Sequence, residues 1–156
     1  MCQPASFIVT KGPKAYWSKT QDSHSSIRVE FGLPENGLRP VNVQVEITPP
    51  NDDFAAPFKN WTFRVDQDML PVWWDAPAAE AAVRAELENW AHVRLVRAGE
   101  TRDVREGDYI TAVLSGGTVN EVSGGTVNEV SGGTVNEVSG GTVNEVSGGT
   151  VNEVSG

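Results

Sequence analysis

From Gly116 to Ser155 the chain repeats one eight-residue word, Gly-Gly-Thr-Val-Asn-Glu-Val-Ser, five times without a change. So short a unit cannot bury its apolar residues within one copy. It can do so only by stacking on the next, which is the logic of a solenoid. Thr and Val favour strands, and Gly-Gly supplies a corner that can take positive φ. A strand of about five residues spans ~17 Å, so one copy cannot return on itself. Two copies per coil predict a flattened, two-sided β-solenoid. Residues 108–115 look like a degenerate first rung, which with the five copies makes six strands, or three coils.

Strict alternation gives each strand two faces. One holds Thr, Asn and the second Val; the other holds the first Val, Glu and Ser. Glutamates stacked ~4.8 Å apart cannot be buried side by side without a large desolvation cost. The expected core is therefore Thr118, Asn120, Val122, Thr126, Asn128, Val130, Thr134, Asn136, Val138, Thr142, Asn144 and Val146. Its asparagines would bond from layer to layer like an amyloid ladder. Aligning Ser115 with the Ser of the word adds Ile110, Ala112 and Leu114, all apolar. The first Val (Val119 and its copies) is then exposed, and a bend at Thr-Val that turns it inward is the open alternative. The last strand, Thr150, Val151, Asn152, Glu153 and Val154, is expected to be an unpaired edge, prone to association.

Residues 1–106 read as an α+β head, and 107–156 as the repeat tail. Phe7–Thr10 and Ala15–Trp17 predict short strands. Asp22 and Ser23 are helix N-cap types, Ile27 and Phe31 share a face, and Gly32 stops the element. Val41–Thr48 and Trp61–Asp66 alternate at period two and predict an antiparallel pair. Asp75 and Pro77 open a helix over Ala78–Ala91, on which Ala79, Val83, Glu86, Leu87 and Trp90 form one stripe. His92–Val96 reads as a strand, Ala98–Glu100 as a turn and Thr101–Val104 as a return. The expected head is a small antiparallel sheet with one long and one short helix.

The net charge is −9, and the five repeat glutamates supply more than half of it. An acidic chain argues against nucleic acid and anionic membranes as partners. The single cysteine, Cys2, excludes an intrachain disulfide. The absence of a signal-like or membrane-spanning run suggests a cytoplasmic protein. Perfect identity of the copies suggests recent duplication, a consensus design or a trimmed chain.

The residues that could carry chemistry have local explanations. Cys2 would become an N-terminal nucleophile if Met1 were removed, and Asp22 and His24 could complete a Cys-His-Asp set. Against this, His24 lies at a predicted helix start, and Cys2 at the start of a strand. Two histidines and one cysteine lack zinc-site spacing. Trp17, Trp61, Trp73, Trp74 and Trp90 could stack a base or sugar, but core packing explains them better. Asp52 and Asp53 read as a solvated turn. No cofactor or metal is expected.

Phe7–Lys14, Asp22–His24, Val45–Pro50 and Phe63–Trp73 together resemble small bacterial and phage proteins with an α+β head and a tail of very short repeats. The resemblance implies a head-plus-solenoid layout. The sequence therefore reads as a non-enzymatic, self-associating protein, a homodimer through its open edge or a chain that takes a partner strand. The alternatives are a binding module whose head recognises a ligand or host protein, and an N-terminal cysteine enzyme.

Overall fold

The computed structural model describes residues 3–155. Two compact units make up the chain, Met1–Asn89 and Trp90–Gly156. The first holds β1 (Ser6–Thr10), β2 (Lys14–Tyr16), α1 (His24–Phe31), β3 (Val43–Thr48), β4 (Thr62–Val65) and most of α2 (Ala76–Arg94). Its strands form an antiparallel sheet in the order β2-β1-β3-β4. The two alternating segments pair as expected, with Ile47 opposite Phe63 and Glu46 opposite Arg64. Phe7, Val45 and Val65 are in register on one face. Gln44 and Glu46, one position out of phase, lie on the other.

Local chemistry fixes the helices. The Ser26 N–H donates to Ser23 Oγ at 3.2 Å at the start of α1, and Gly32 ends it at φ 63°. Arg28, buried on α1, donates to Gln44 Oε1 at 2.7 Å and Asn42 Oδ1 at 3.1 Å. Burial pushes the pKa of its guanidinium down, opposed by the charge of Glu35. Asp75 Oδ1 accepts the Ala78 N–H at 3.2 Å, capping α2. The stripe Ala79, Val83, Leu87 and Trp90 is buried. Its charged member, Glu86, accepts the Trp17 indole N–H at 2.9 Å, which explains a carboxylate on that face. Among the described residues no helix is long and apolar enough to cross a membrane.

The second unit is a β-solenoid. Its strands are β5 (Leu95–Val96), β6 (Thr101–Val104), β7 (Tyr109–Val113), β8 (Thr118–Val122), β9 (Thr126–Val130), β10 (Thr134–Val138), β11 (Thr142–Val146) and β12 (Thr150–Val154). They form two parallel sheets, β11-β9-β7-β5 and β12-β10-β8-β6. Each coil thus contributes one strand to each sheet, as the repeat length predicts. There are eight strands and four coils rather than six and three. The boundary expected at 106/107 also moves. Leu95–Val96 and Thr101–Val104, read as head strands, pair in parallel with β7 and β8 and are the first coil. The segment His92–Arg94, read as strand, is the last turn of α2.

The inward face differs from strict alternation. Val119, Val122, Val127, Val130 and Val135 are all 0 % exposed, whereas Asn120 and Asn136 are exposed and Thr118, Thr126 and Thr134 only partly buried. Thr118, Asn120, Thr126, Asn128, Thr134, Asn136, Thr142 and Asn144 are therefore not the core. Both valines of each word point inward although they are three residues apart. The ladder pairs Val119 with Val135, then resumes at Glu121 with Glu137, skipping the asparagine. The energetic reason is direct. A second buried valine contributes roughly 1.5–3 kcal/mol, whereas enclosing a hydroxyl and an amide costs about 1–3 kcal/mol each unless every bond is made. The asparagine ladder does form, but on the outside. Asn136 donates to Asn120, Asn152 to Asn136 and Asn144 to Asn128 at 3.1–3.4 Å.

The degenerate rung is shifted by one residue as well. Ile110 pairs with Val127 and Val113 with Val130, so Tyr109 and not Ile110 takes the Thr position. Ile110 and Val113 join the valine core. Ala112 and Leu114 are buried too, but Ala112 occupies the Glu129 position.

The glycine pair serves two different corners. Entering β8, β10 and β12 the first glycine has positive φ (Gly116 84°, Gly132 140°, Gly148 149°); entering β9 and β11 it is the second (Gly125 66°, Gly141 67°). One repeated word can turn both edges of a flattened coil only if both positions tolerate this conformation.

Candidate functional site

Among the described residues the second unit finishes on a coil with no further coil stacked on it. Among the described residues β11 pairs only with β9, and β12 only with β10. Two strands, not the expected Thr150–Val154 alone, therefore present unpaired backbone groups. Identical words show what a stacked neighbouring coil covers. Val130 is 0 % exposed, but its counterparts Val146 and Val154 are 47 % and 70 % exposed. Val143 and Val151 remain half-buried and pack on the core. With Val138 these valines line a groove of about 440 Å³ floored by Gly140 and Gly141. The acceptors Asn144 Oδ1 and Asn152 Oδ1 end their ladders without a protein partner among the described residues. Ser147 and Ser155 reach back to Glu129 and Glu137 at 3.0 and 3.4 Å.

The opposite end is built differently. In β6 Arg102 takes the position that Val119 holds one coil later. Its Nη1 donates to the carbonyls of His92, Val93 and Leu95 at 3.0–3.4 Å, satisfying the last turn of α2. Arg94 is fully buried, donates to Thr111 Oγ1 at 3.1 Å and lies 4.8 Å from the Tyr109 ring centre. A helix end and two arginines thus close the first coil, and the array is asymmetric.

The other sequence candidates are scattered through the first unit or at the end of α2. Cys2 lies outside the described residues. Asp22 is half-buried ahead of α1. His24 is buried, with Nε2 2.9 Å from the Val45 carbonyl oxygen and Nδ1 3.9 Å from Asp66 Oδ2. His92 is exposed on the last turn of α2. Trp61 and Trp90 are core. Trp73 and Trp74 are half-buried and line a groove of about 300 Å³ with Lys11, Pro13 and Asp75. Asp53 Oδ1 accepts the Ala55 N–H at 3.0 Å, a turn role.

Comparison of the chain with protein-family models, curated proteins and solved structures gave no match.

Proposed function

We propose that the chain is a non-enzymatic, self-associating structural protein, two copies joining at their open solenoid ends by antiparallel strand addition. The spacing of the inward valines carries this reading. An antiparallel register that sets Val151 opposite Val154 of the second copy also sets Asn152 opposite its Glu153. In β11 the same register sets Val143 against Val146 and Asn144 against Glu145. Inward residues then meet inward residues, each carboxylate faces an amide, and the exposed valines are covered. Parallel addition instead sets Glu against Glu, a repulsion of roughly 1 kcal/mol per pair at strand spacing in water. The twofold contact is closed, so it stops at a dimer. Arg102 and the end of α2 occupy the other end of the array and leave it without an equivalent valine surface.

Light scattering on a sizing column, over a concentration series, tests this. A dimer is expected for the parent chain and a monomer for Val146→Lys with Val154→Lys, since both sites are already exposed and a charge there opposes pairing. A dimer that survives both substitutions, or open-ended growth, contradicts the reading. A parent chain that stays monomeric would favour a binding module instead, with the Trp73–Trp74 groove as its site.

A further inference from the structure

We propose that the first unit binds one divalent first-row transition-metal ion between His24, Glu46 and Asp66. The three are far apart in sequence and are brought together by the fold. His24 opens α1, whose start is fixed by the Ser23 cap. Glu46 is set by the β3–β4 register opposite Arg64. Asp66 follows β4, its N–H donating to the Gln44 carbonyl at 2.8 Å. One ligand atom from each lies within 4.8 Å of the other two.

The tautomer points the same way. His24 Nε2 is 2.9 Å from the Val45 carbonyl oxygen, which can only accept, so Nε2 carries the proton. Nδ1 is then the ring nitrogen on the Asp66 side. The Nδ1 to Asp66 Oδ2 distance of 3.9 Å exceeds a hydrogen bond, and two metal–ligand bonds of ~2.1 Å can span it. A backbone carbonyl holding the other ring nitrogen is the usual way a metal-binding imidazole is oriented.

Burial and charge agree. His24 and Glu46 are 3 % and 2 % exposed, whereas the Asp66 side chain is 45 % exposed and leaves a route for the ion and its water ligands. Arg64 Nη2 meets Glu46 Oε2 at 2.7 Å and neutralises one of the two carboxylates. The negative charge that remains favours a cation. One nitrogen and two oxygens suit zinc and its neighbours rather than magnesium. Bound there, the ion ties the start of α1 to β3 and the end of β4.

The alternative cation is a proton on Nδ1, and titration calorimetry separates the two. Zinc chloride would be titrated into the untagged, chelator-treated full chain at pH 7.5. One stoichiometric site is expected, with a rise in melting temperature and a shift of the His24 ring resonances but not those of His92. Asp66→Asn, a near-isosteric change at a part-exposed position, should weaken binding at least tenfold while circular dichroism stays unchanged. Glu46→Gln should do the same. The tail glutamates are untouched by these changes, so weak binding there persists in both variants. No stoichiometric zinc site, or affinity unaltered in both variants, overturns the proposal.

Discussion

Because the repeats are identical, one substitution can be placed in the same local sequence at different burial. Val130 and Val154 are the same residue of the word, 0 % and 70 % exposed. Val130 has Val113 beside it in one neighbouring strand and Val146 in the other. Val130→Ala removes two buried methyl groups, about 1.6 kcal/mol of transfer at ~0.8 per carbon. The cavity left behind adds roughly 1 kcal/mol. At Val154 less than a third of the transfer term applies and no closed cavity forms, so the cost is about 0.5 kcal/mol. The propensity change is common to both, and the difference of about 2 kcal/mol isolates burial. Val127→Ala should match Val130→Ala, whereas Asn128→Ala, which cuts an outer amide bond, should cost about 0.5–1.5 kcal/mol. Urea unfolding followed by far-ultraviolet circular dichroism would show this as a midpoint lower by about 1 M for the buried valines. Protein concentration must be held where the chain is monomeric. If Asn128→Ala costs more than Val127→Ala, or if Val130 and Val154 cost the same, the inward assignment of the two valines is wrong.

Gly141→Ala should lower the melting temperature sharply. Its φ is 67° and an added Cβ would meet the Gly124 carbonyl oxygen at 2.6 Å, so strain and collision together should exceed about 2 kcal/mol. Arg102→Ala should cost about 1–2 kcal/mol by freeing the carbonyls at the end of α2, and amide exchange should rise first around residues 92–104. Glutamates of alternate words stack in register, Glu121 with Glu137 and Glu129 with Glu145. Raising salt from 0.05 to 0.5 M should therefore stabilise the array, and Glu145→Gln should reduce that salt dependence; no change in either would count against stacked carboxylates.

The solenoid, its two strands per coil and the β3–β4 pairing are legible because they follow from repeat length and period-two alternation. The inward face is not, because alternation assumes an unbroken strand. Val119 and Val122 can both face inward only by a break at Asn120–Glu121, and that break depends on packing against the facing sheet. Aligning the first rung on Ser115 then slips it by one residue, which exchanges the two faces. The first coil is hidden because Leu95–Val104 carries no Gly-Gly pair and its spacing to the next coil is longer: Leu95 pairs with Ala112, whereas later Thr118 pairs with Thr134. The His24–Glu46–Asp66 cluster has no local spacing to reveal it. Glu46 falls on the polar face of the β3 alternation, so its burial could not be read from the sequence.

The most direct test of the end-to-end contact is amide hydrogen exchange of Thr142–Val146 and Thr150–Val154 as a function of protein concentration. The account predicts that these edge amides exchange quickly in dilute solution and become protected in step with dimer formation, while β8 and β9 are protected throughout. Edge amides that exchange equally fast at every concentration, in a chain that nonetheless dimerises, would place the contact elsewhere and contradict it.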